Sequence, residues 1–231
     1  MLKLNGVTVV YPDNTKAVDC VGLSVGEGES VALLGGNGAG KTSLLLAIVG
    51  ILELSGGAIE IDGMLLNKKT VGAFRNKIGL VFQNPDDQLF MPYVYDDVAF
   101  GCRNCGMPED EIKTKVDETL SKLKIGRLRD RSSMKLSGGE KRLAAIATVL
   151  VMRPSVLMFD EPTAFLDPSA KRALVETLNR LKQTKIIATH DLSFAAETCG
   201  RAVLLKNGSV AADGGLSLLD DAELMRSCGL A

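Results

Sequence analysis

Gly35-Gly36-Asn37-Gly38-Ala39-Gly40-Lys41-Thr42 constrains this chain more than any other stretch. It fits G-x-x-x-x-G-K-[ST], a phosphate-binding loop wherever a strand leads in and a helix leads out. Both flanks agree: Ser30–Leu34 is a short apolar run that reads as a buried strand, and Ser43 to Leu52 reads as an apolar helix. Glycines let the backbone curl until its N–H groups point inward around an anion. The following helix adds unpaired N–H groups and the positive end of its dipole. Lys41 can then reach the outer phosphates of a nucleotide, and the Thr42 hydroxyl can hold Mg²⁺.

A chain of 231 residues has room for one large α/β domain, or a core with a subdomain. A net charge of −1 argues against a general nucleic-acid binder. The local basic run Lys122, Lys124, Arg127, Arg129, Arg131, Lys135 reads as a solvated connector, or as a contact with a partner or an anionic surface. Cys20, Cys102, Cys105, Cys199 and Cys228 form an odd, scattered set, which suits a reducing compartment better than a disulfide framework. Cys102-x-x-Cys105 has no second pair or histidine nearby to complete a zinc site. No signal peptide is visible, and the longest apolar runs, Leu44–Leu52 and Leu143–Met152, fall short of the ~20 residues that span a bilayer. Any membrane association is therefore expected through a partner.

Residues 2–10 and 17–25 alternate apolar and polar around Pro12-Asp13-Asn14, a hairpin pattern. Tyr11, at the end of the first strand, is either core filler or a ring able to stack on an adenine. Ala58–Gly63 is a short strand closed by a turn, Ile78–Phe82 a fully apolar strand, and Asn84–Asp87 a loop. Helices are predicted from Tyr93, from Pro108, from Leu136–Glu140 to about Met152, and from Pro168 to about Lys182. Buried strands are predicted at Val156–Glu161 and Lys185–Thr189, and a hairpin over 201–213 with Asn207-Gly208 in the turn.

Strands alternating with helices predict a parallel sheet, with ligands at the carboxyl ends of its strands. Four polar signals fall at such ends: the phosphate loop, Gln83, Asp160-Glu161 and His190. They are expected to converge on one nucleotide. Asp160 can bind Mg²⁺ through water opposite Thr42, and Gln83 can reach the ion or its water. Glu161 can act as general base toward an attacking water, and His190, the only histidine, suits a γ-phosphate contact. Ser137-Gly138-Gly139 at a helix start is a second anion-binding terminus. One nucleotide does not need both from one subunit, so a head-to-tail pair is expected, each lending Ser-Gly-Gly to the other's ATP.

The order of these motifs resembles the ATPase subunits of ATP-binding-cassette (ABC) transporters over nearly the whole chain. Gly35–Ser43 matches Walker A, Leu136–Glu140 the signature loop, Val156–Glu161 Walker B with its catalytic glutamate, and Phe165-Leu166-Asp167 the D-loop. Gln83 matches the Q-loop, His190 the switch histidine and Tyr11 the adenine-stacking residue. The resemblance implies a P-loop NTPase core of RecA-like type. An N-terminal antiparallel β subdomain and an inserted α-helical signature subdomain complete the fold. The chain would be a single ABC domain over 1–231, with core and β subdomain at about 1–87 and 153–231 and helices at about 88–152. It also implies ATP and Mg²⁺ as cofactors, with Ser43 and Asp167 in the nucleotide site beside the loop.

Val81–Phe90 followed by Asp96–Gly101 is similar to the energy-coupling-factor and cobalt/nickel importer ATPases. In that group the Gln83–Phe90 region receives a coupling helix of the transmembrane subunit, and Asp86 and Asp87 would suit basic residues on it. The expected setting is the cytoplasmic face of a cell membrane. The chain would pair with itself or with a second ABC ATPase, and meet a substrate-binding membrane subunit only indirectly, without nucleic acid. A divalent metal importer, for cobalt or nickel, is the leading expectation, and a vitamin importer or a non-transport ABC ATPase acting on nucleic acid the alternatives. Chromosome-type members carry a long coiled coil that this chain lacks, and a small-molecule kinase would not need Ser137–Gly139 or a water-activating Glu161. Two departures stand out: Gly36 where many members carry proline, and Glu140 where glutamine is common.

Overall fold

In a computed structural model, which describes residues 1–230, the chain divides into two compact units. The first comprises Met1–Leu80, Ser155–Glu161 and 182–230, and the second Val81–Pro154 with Pro162–Leu181. In chain order the elements begin with β1 (Leu2–Val10), β2 (Lys16–Val25), β3 (Ser30–Leu34), α1 (Lys41–Ile48), β4 (Gly56–Ile61), β5 (Met64–Leu65), α2 (Val71–Arg75) and β6 (Ile78–Val81). Next come α3 (Val94–Asn104), α4 (Glu109–Lys122) and α5 (Gly138–Leu150). They are followed by β7 (Val156–Asp160), α6 (Pro168–Arg180), β8 (Thr184–Thr189), α7 (Leu192–Thr198), β9 (Arg201–Lys206), β10 (Ser209–Gly215) and α8 (Ala222–Ser227).

The first unit is built on two sheets. One is antiparallel, in the order β2-β1-β4-β5, and its alternating sequence puts Leu2, Leu4, Val7 and Val9 on the buried face. The other runs β10-β9-β3-β8-β7-β6, with β9, β3, β8 and β7 parallel and β10 folded back antiparallel through Asn207-Gly208. Both turn residues have positive φ, as a two-residue hairpin of this twist demands. The central strands β7 and β8 are buried at every position; β7 is apolar up to Asp160, and β8 has an apolar centre, Ile186–Ala188, between buried polar residues at its two ends. Helix α1 packs against strands of both sheets and buries Leu44, Leu45, Ala47 and Ile48, which is why it has no polar face of ordinary width. It stops at Ile48, just before Gly50, which turns left-handed and reverses the chain, so the apolar run to Leu52 is helical only in its first part.

The second unit is helical. Helix α3 packs on α4 and α5, and α5 on α6. The expected boundaries left 162–181 with the sheet core, whereas α6 groups with the helices. Its apolar stripe of Leu174, Val175 and Leu178 is buried, and Gly139 of α5 comes so close to Ala170 that an added Cβ would lie 2.9 Å from its methyl. Asn84–Asp87, expected as a loop, is a short 3₁₀ turn whose Asn84 side chain accepts from the Asp86 N–H. The tail from Leu216 forms a 3₁₀ turn over Leu216–Asp220 and then α8.

Where β1 meets β4 the register shifts between Asn5 and Thr8, and Gly57 sits in the left-handed region at φ 82 with no space for a side chain. A Cβ there would overlap the carbonyl oxygens of Gly6 and Asn5, whereas one at Gly63, also left-handed at φ 81, would meet nothing. Gly57→Ala is therefore expected to destabilise the chain by about 3 kcal/mol or more, and Gly63→Ala by only about 1 kcal/mol. Urea unfolding of the two variants checks this, and equal costs would contradict the steric account.

Candidate active site

Parallel pairing sets the site's frame. Leu34 at the end of β3 lies level with Thr189 at the end of β8, and Asp160 at the end of β7 with Ala188. The phosphate loop, Asp160-Glu161 and Thr189-His190 therefore leave the sheet at one edge, the carboxyl edge. Gly38 (φ 77) and Gly40 (φ 100) curl the loop, and Gly40 passes so close to the Ala17 carbonyl that no side chain fits. Helix α1 begins at Lys41 itself, with Gly40 as its N-cap, so the helix terminus and the loop form one concave run of N–H groups.

Lys41 is buried, and its ammonium donates to the carbonyls of Gly35 at 2.6 Å and Gly36 at 3.2 Å, with Glu161 Oε1 3.5 Å away. The Thr42 hydroxyl donates to Asp160 Oδ2 at 2.8 Å. Glu161 is buried in a left-handed conformation at φ 42, a strain that a glutamate tolerates only where its surroundings fix it. Those surroundings are three donors on Oε2: the Thr189 hydroxyl at 3.2 Å, the His190 N–H at 3.3 Å and His190 Nδ1 at 2.9 Å. The remaining oxygen, Oε1, faces the Lys41 side of the site. His190 itself is 63% exposed, so its ring joins Glu161 to solvent. The Tyr11 hydroxyl shares a 3.0 Å hydrogen bond with Ser43 Oγ, which anchors the half-buried ring to the start of α1.

Whether these residues fit a cation is answered by Asp160. Burial pushes its carboxyl above the usual range, opposed by the Thr42 hydroxyl and reinforced by the charge of Glu161. Its second oxygen, Oδ1, is buried without a hydrogen-bond partner among the described residues. An orphan carboxylate oxygen beside a hydroxyl and a phosphate loop fits Mg²⁺, which takes one or two protein oxygens and fills its shell with phosphate and water.

Gln83, Ser137-Gly138-Gly139 and Asp167 belong to the second unit. Gln83 is exposed, and its carbonyl accepts from Arg142 Nη2 at 2.7 Å. Ser137 is the exposed N-cap of α5 and closes a capping box with Glu140. The Glu140 carboxyl is held below the usual range, first by Arg127 and then by the Ser137 N–H. Asp167 caps α6, its Oδ1 accepting from Ser169 and Ala170 at 2.8 and 2.9 Å, so that oxygen already has structural work. Phe165, before it, is 85% exposed at φ 63.

Three residues the sequence reading passed over fix this unit. Arg142 is 1% exposed, burial brings its pKa down to about 10, and its guanidinium donates to the carbonyls of Phe82 at 2.6 Å and Gln83 at 2.7 Å. Gln88 accepts from Phe82 N–H and donates to Ala145 O and Thr148 Oγ1. Asp97 is buried and accepts from the N–H groups of Phe90 and Met91 and from the Ser133 hydroxyl. Between them they hold 82–91 rigid and present Phe90 and Tyr93 to solvent, 61% and 52% exposed. A signal existed for Arg142: it shares an i, i+4, i+8 stripe with Ile146 and Leu150, so a charge on that apolar stripe needed polar partners. Asp86, expected to await a basic partner, pairs with Lys141 at 2.6 Å. Cys102 is buried against Met152 and Cys105 is exposed; none of the five cysteines is in a disulfide. No helix among the described residues is long and apolar enough to cross a membrane.

A family model described as ABC transporter matches residues 18–164. A putative ABC transporter ATP-binding protein of Geobacter sulfurreducens is 45% identical over 221 residues, covering 95% of this chain and 89% of that protein. The energy-coupling factor transporter ATP-binding protein EcfA of Carboxydothermus hydrogenoformans is 41% identical over 232 residues, covering 99% of this chain and 86% of that protein. Among solved structures, cbiO1 from Clostridium perfringens, described as part of the ABC transporter complex cbiONQ, is 40% identical with a TM-score of 0.86, covering 99% of this chain and 94% of that one. An ATP-binding cassette solved as a dimer in a post-hydrolysis state with ADP and Pi is 27% identical with a TM-score of 0.82, covering 94% of this chain and 99% of that one.

Asp160 generates a prediction of opposite sign for folding and for activity. Because its pKa is raised on folding, its charged form costs stability above the folded pKa, and the cost vanishes below the unfolded one. Asp160→Asn is expected to raise Tm near neutral pH by roughly 2–4 °C while losing ATP hydrolysis, with the gain in Tm fading toward about pH 4. Thermal scans across pH without nucleotide check this; a gain that persisted in acid would refute the electrostatic origin.

Proposed function

The chain belongs to the ABC transporter ATP-binding family, whose members are ATPases coupled to transport, and from that premise we propose that it powers an importer of energy-coupling-factor type carrying a divalent metal ion, cobalt or nickel. The observation that carries the ATPase reading is the meeting of Lys41, Thr42, Asp160, Glu161 and His190 at one sheet edge. The import reading rests on the braced stretch 82–91 with its exposed Phe90, beside the exposed Tyr93 that follows it, and the choice of metal on the sequence likeness of Val81–Gly101 to the cobalt/nickel group.

In this reading Tyr11 stacks on the adenine, and the N–H groups of Gly36 through Ser43 cradle the phosphates. Lys41 moves from the Gly35 and Gly36 carbonyls to the outer phosphates. Thr42 and Asp160 hold Mg²⁺, which when bound offsets charge on the β- and γ-phosphates. Glu161 takes a proton from the attacking water through Oε1, while Thr189 and His190 fix its other oxygen. The new bond forms from water oxygen to the γ-phosphorus, and the bond to the ADP oxygen breaks. His190 then senses the γ-phosphate. Two chains, or this chain and a related ATPase, close around two nucleotides, with Ser137, Gly138, Gly139 and Asp167 of one facing the phosphates of the other, and Gln83 linking the nucleotide to the coupling surface.

Glu161→Gln is expected to bind ATP like the parent, lower turnover by at least ~100-fold and accumulate a closed dimer, whereas Lys41→Ala loses nucleotide affinity itself. Gel filtration with and without ATP separates the two, and parental turnover in Glu161→Gln would remove the base assignment. The cargo is tested by isolating the chain from native membranes with its helical partners, reconstituting the complex in vesicles and measuring ATP-driven uptake of cobalt or nickel beside labelled vitamins. Uptake of a vitamin alone would replace the metal reading.

A further inference from the structure

Glu140 has no part in the chemistry above, yet it touches the group that the pairing model needs free. Its Oε2 accepts from the Ser137 N–H at 3.1 Å and lies 3.2 Å from the Ser137 hydroxyl, while its own N–H donates back to that hydroxyl at 3.3 Å. Its other oxygen pairs with Arg127 Nη1 at 2.5 Å. Ser137 is exposed, Glu140 half-buried and Arg127 mostly exposed, so the carboxylate sits at the mouth of the α5 N-terminus with an exposed cation paired to it. A helix start attracts an anion, and here one is already supplied from within the chain.

We infer that Glu140 is a positioning residue that acts through Ser137 as a brake on ATP-driven closure. Its carboxylate competes with the partner's ATP phosphate for the Ser137 hydroxyl and N–H, and Arg127 sets the strength of that competition. The inference rests on the assignment of Ser137 to the partner's nucleotide. The physical argument is one of like charge. A phosphate reaching Ser137 must come close to a carboxylate, and at such separations the repulsion is appreciable even in a surface dielectric. Arg127 offsets part of it. Gln at this position would keep both arms of the capping box, because it too accepts from the N-cap N–H, but would bring no charge.

The test uses the full chain in a Glu161→Gln background, with dimer formation followed by analytical ultracentrifugation as ATP is raised. Glu140→Gln is expected to lower the half-saturating ATP concentration about tenfold, with ATP binding to the monomer and Tm unchanged. Arg127→Ala is expected to raise it, and to do so far less when Glu140 is already Gln. Arg127 lies in an exposed turn outside α5 and touches the cap only through the outer Glu140 oxygen, so its variants leave the Ser137 hydrogen bonds in place and report even if Glu140→Gln disturbs the helix. An unchanged or higher ATP requirement in Glu140→Gln overturns the inference, as does an Arg127→Ala effect of equal size in both backgrounds. Ser137→Ala separates the two levels of the argument. If it abolishes the dimer while Glu140→Gln changes nothing, only the brake is lost; if it leaves dimerisation untouched, the assignment of Ser137 falls and the brake with it.

Discussion

The level pairing of β3, β8 and β7 is the constraint on which the site depends. A slip of one residue in a fully buried parallel strand would turn each side chain to the opposite face and move the strand's end by more than 3 Å. Thr42 would then miss Asp160, and Glu161 would miss Thr189. The apolar side chains of β7 and β8 make such a slip costly on both faces at once. The tolerance of the chemistry is thus set by packing well away from it. The left-handed Glu161 can persist because the strand before it and the three donors around it leave no lower-energy alternative.

The helical unit uses a different device. An arginine buried to 1% exposure is expensive, and two backbone carbonyls at the entrance of 82–91 offset part of that cost through Nη1 and Nη2, while Nε is buried without a hydrogen-bond partner among the described residues. Gln88 and Asp97 tie the rest of that segment to α5 and α3 in the same way, side chain to main chain. A segment held by its backbone leaves its side chains for other uses, and here those are the exposed rings of Phe90 and Tyr93. Exposed aromatic groups on a backbone fixed in this way are the kind of side chain that anchors protein–protein contacts.

How much of this could be read from the sequence follows from how local each signal is. Asp160-Glu161 and His190 each sit at the end of a buried strand run that announces both the strand and its rim, and Lys41 and Thr42 close a glycine-rich loop that follows another. The Asn207-Gly208 turn and the Pro168 helix start are local in the same sense. Arg142, Gln88, Asp97 and Thr189 were not legible as site supports because each acts on backbone groups distant in sequence or across strands, and a side chain gives no sign of which carbonyl it will meet. The grouping of α6 with the helical unit was hidden for the same reason: its amphipathic stripe requires a neighbour but does not name one. Tyr11 stood between two readings, and its hydrogen bond to Ser43 places the ring beside α1.

Gly36 donates its N–H to the carbonyl of Cys228 at 2.8 Å, and a Cβ at Gly36 would press on the backbone of Cys228 and Gly229. The phosphate loop is thus tied to a residue about 190 positions further along the chain, inside the same compact unit but beyond the whole helical unit in sequence. Such a non-local strut forms only once the chain has closed on itself, so it belongs to the slow, late part of folding rather than to the local assembly of β3 and α1.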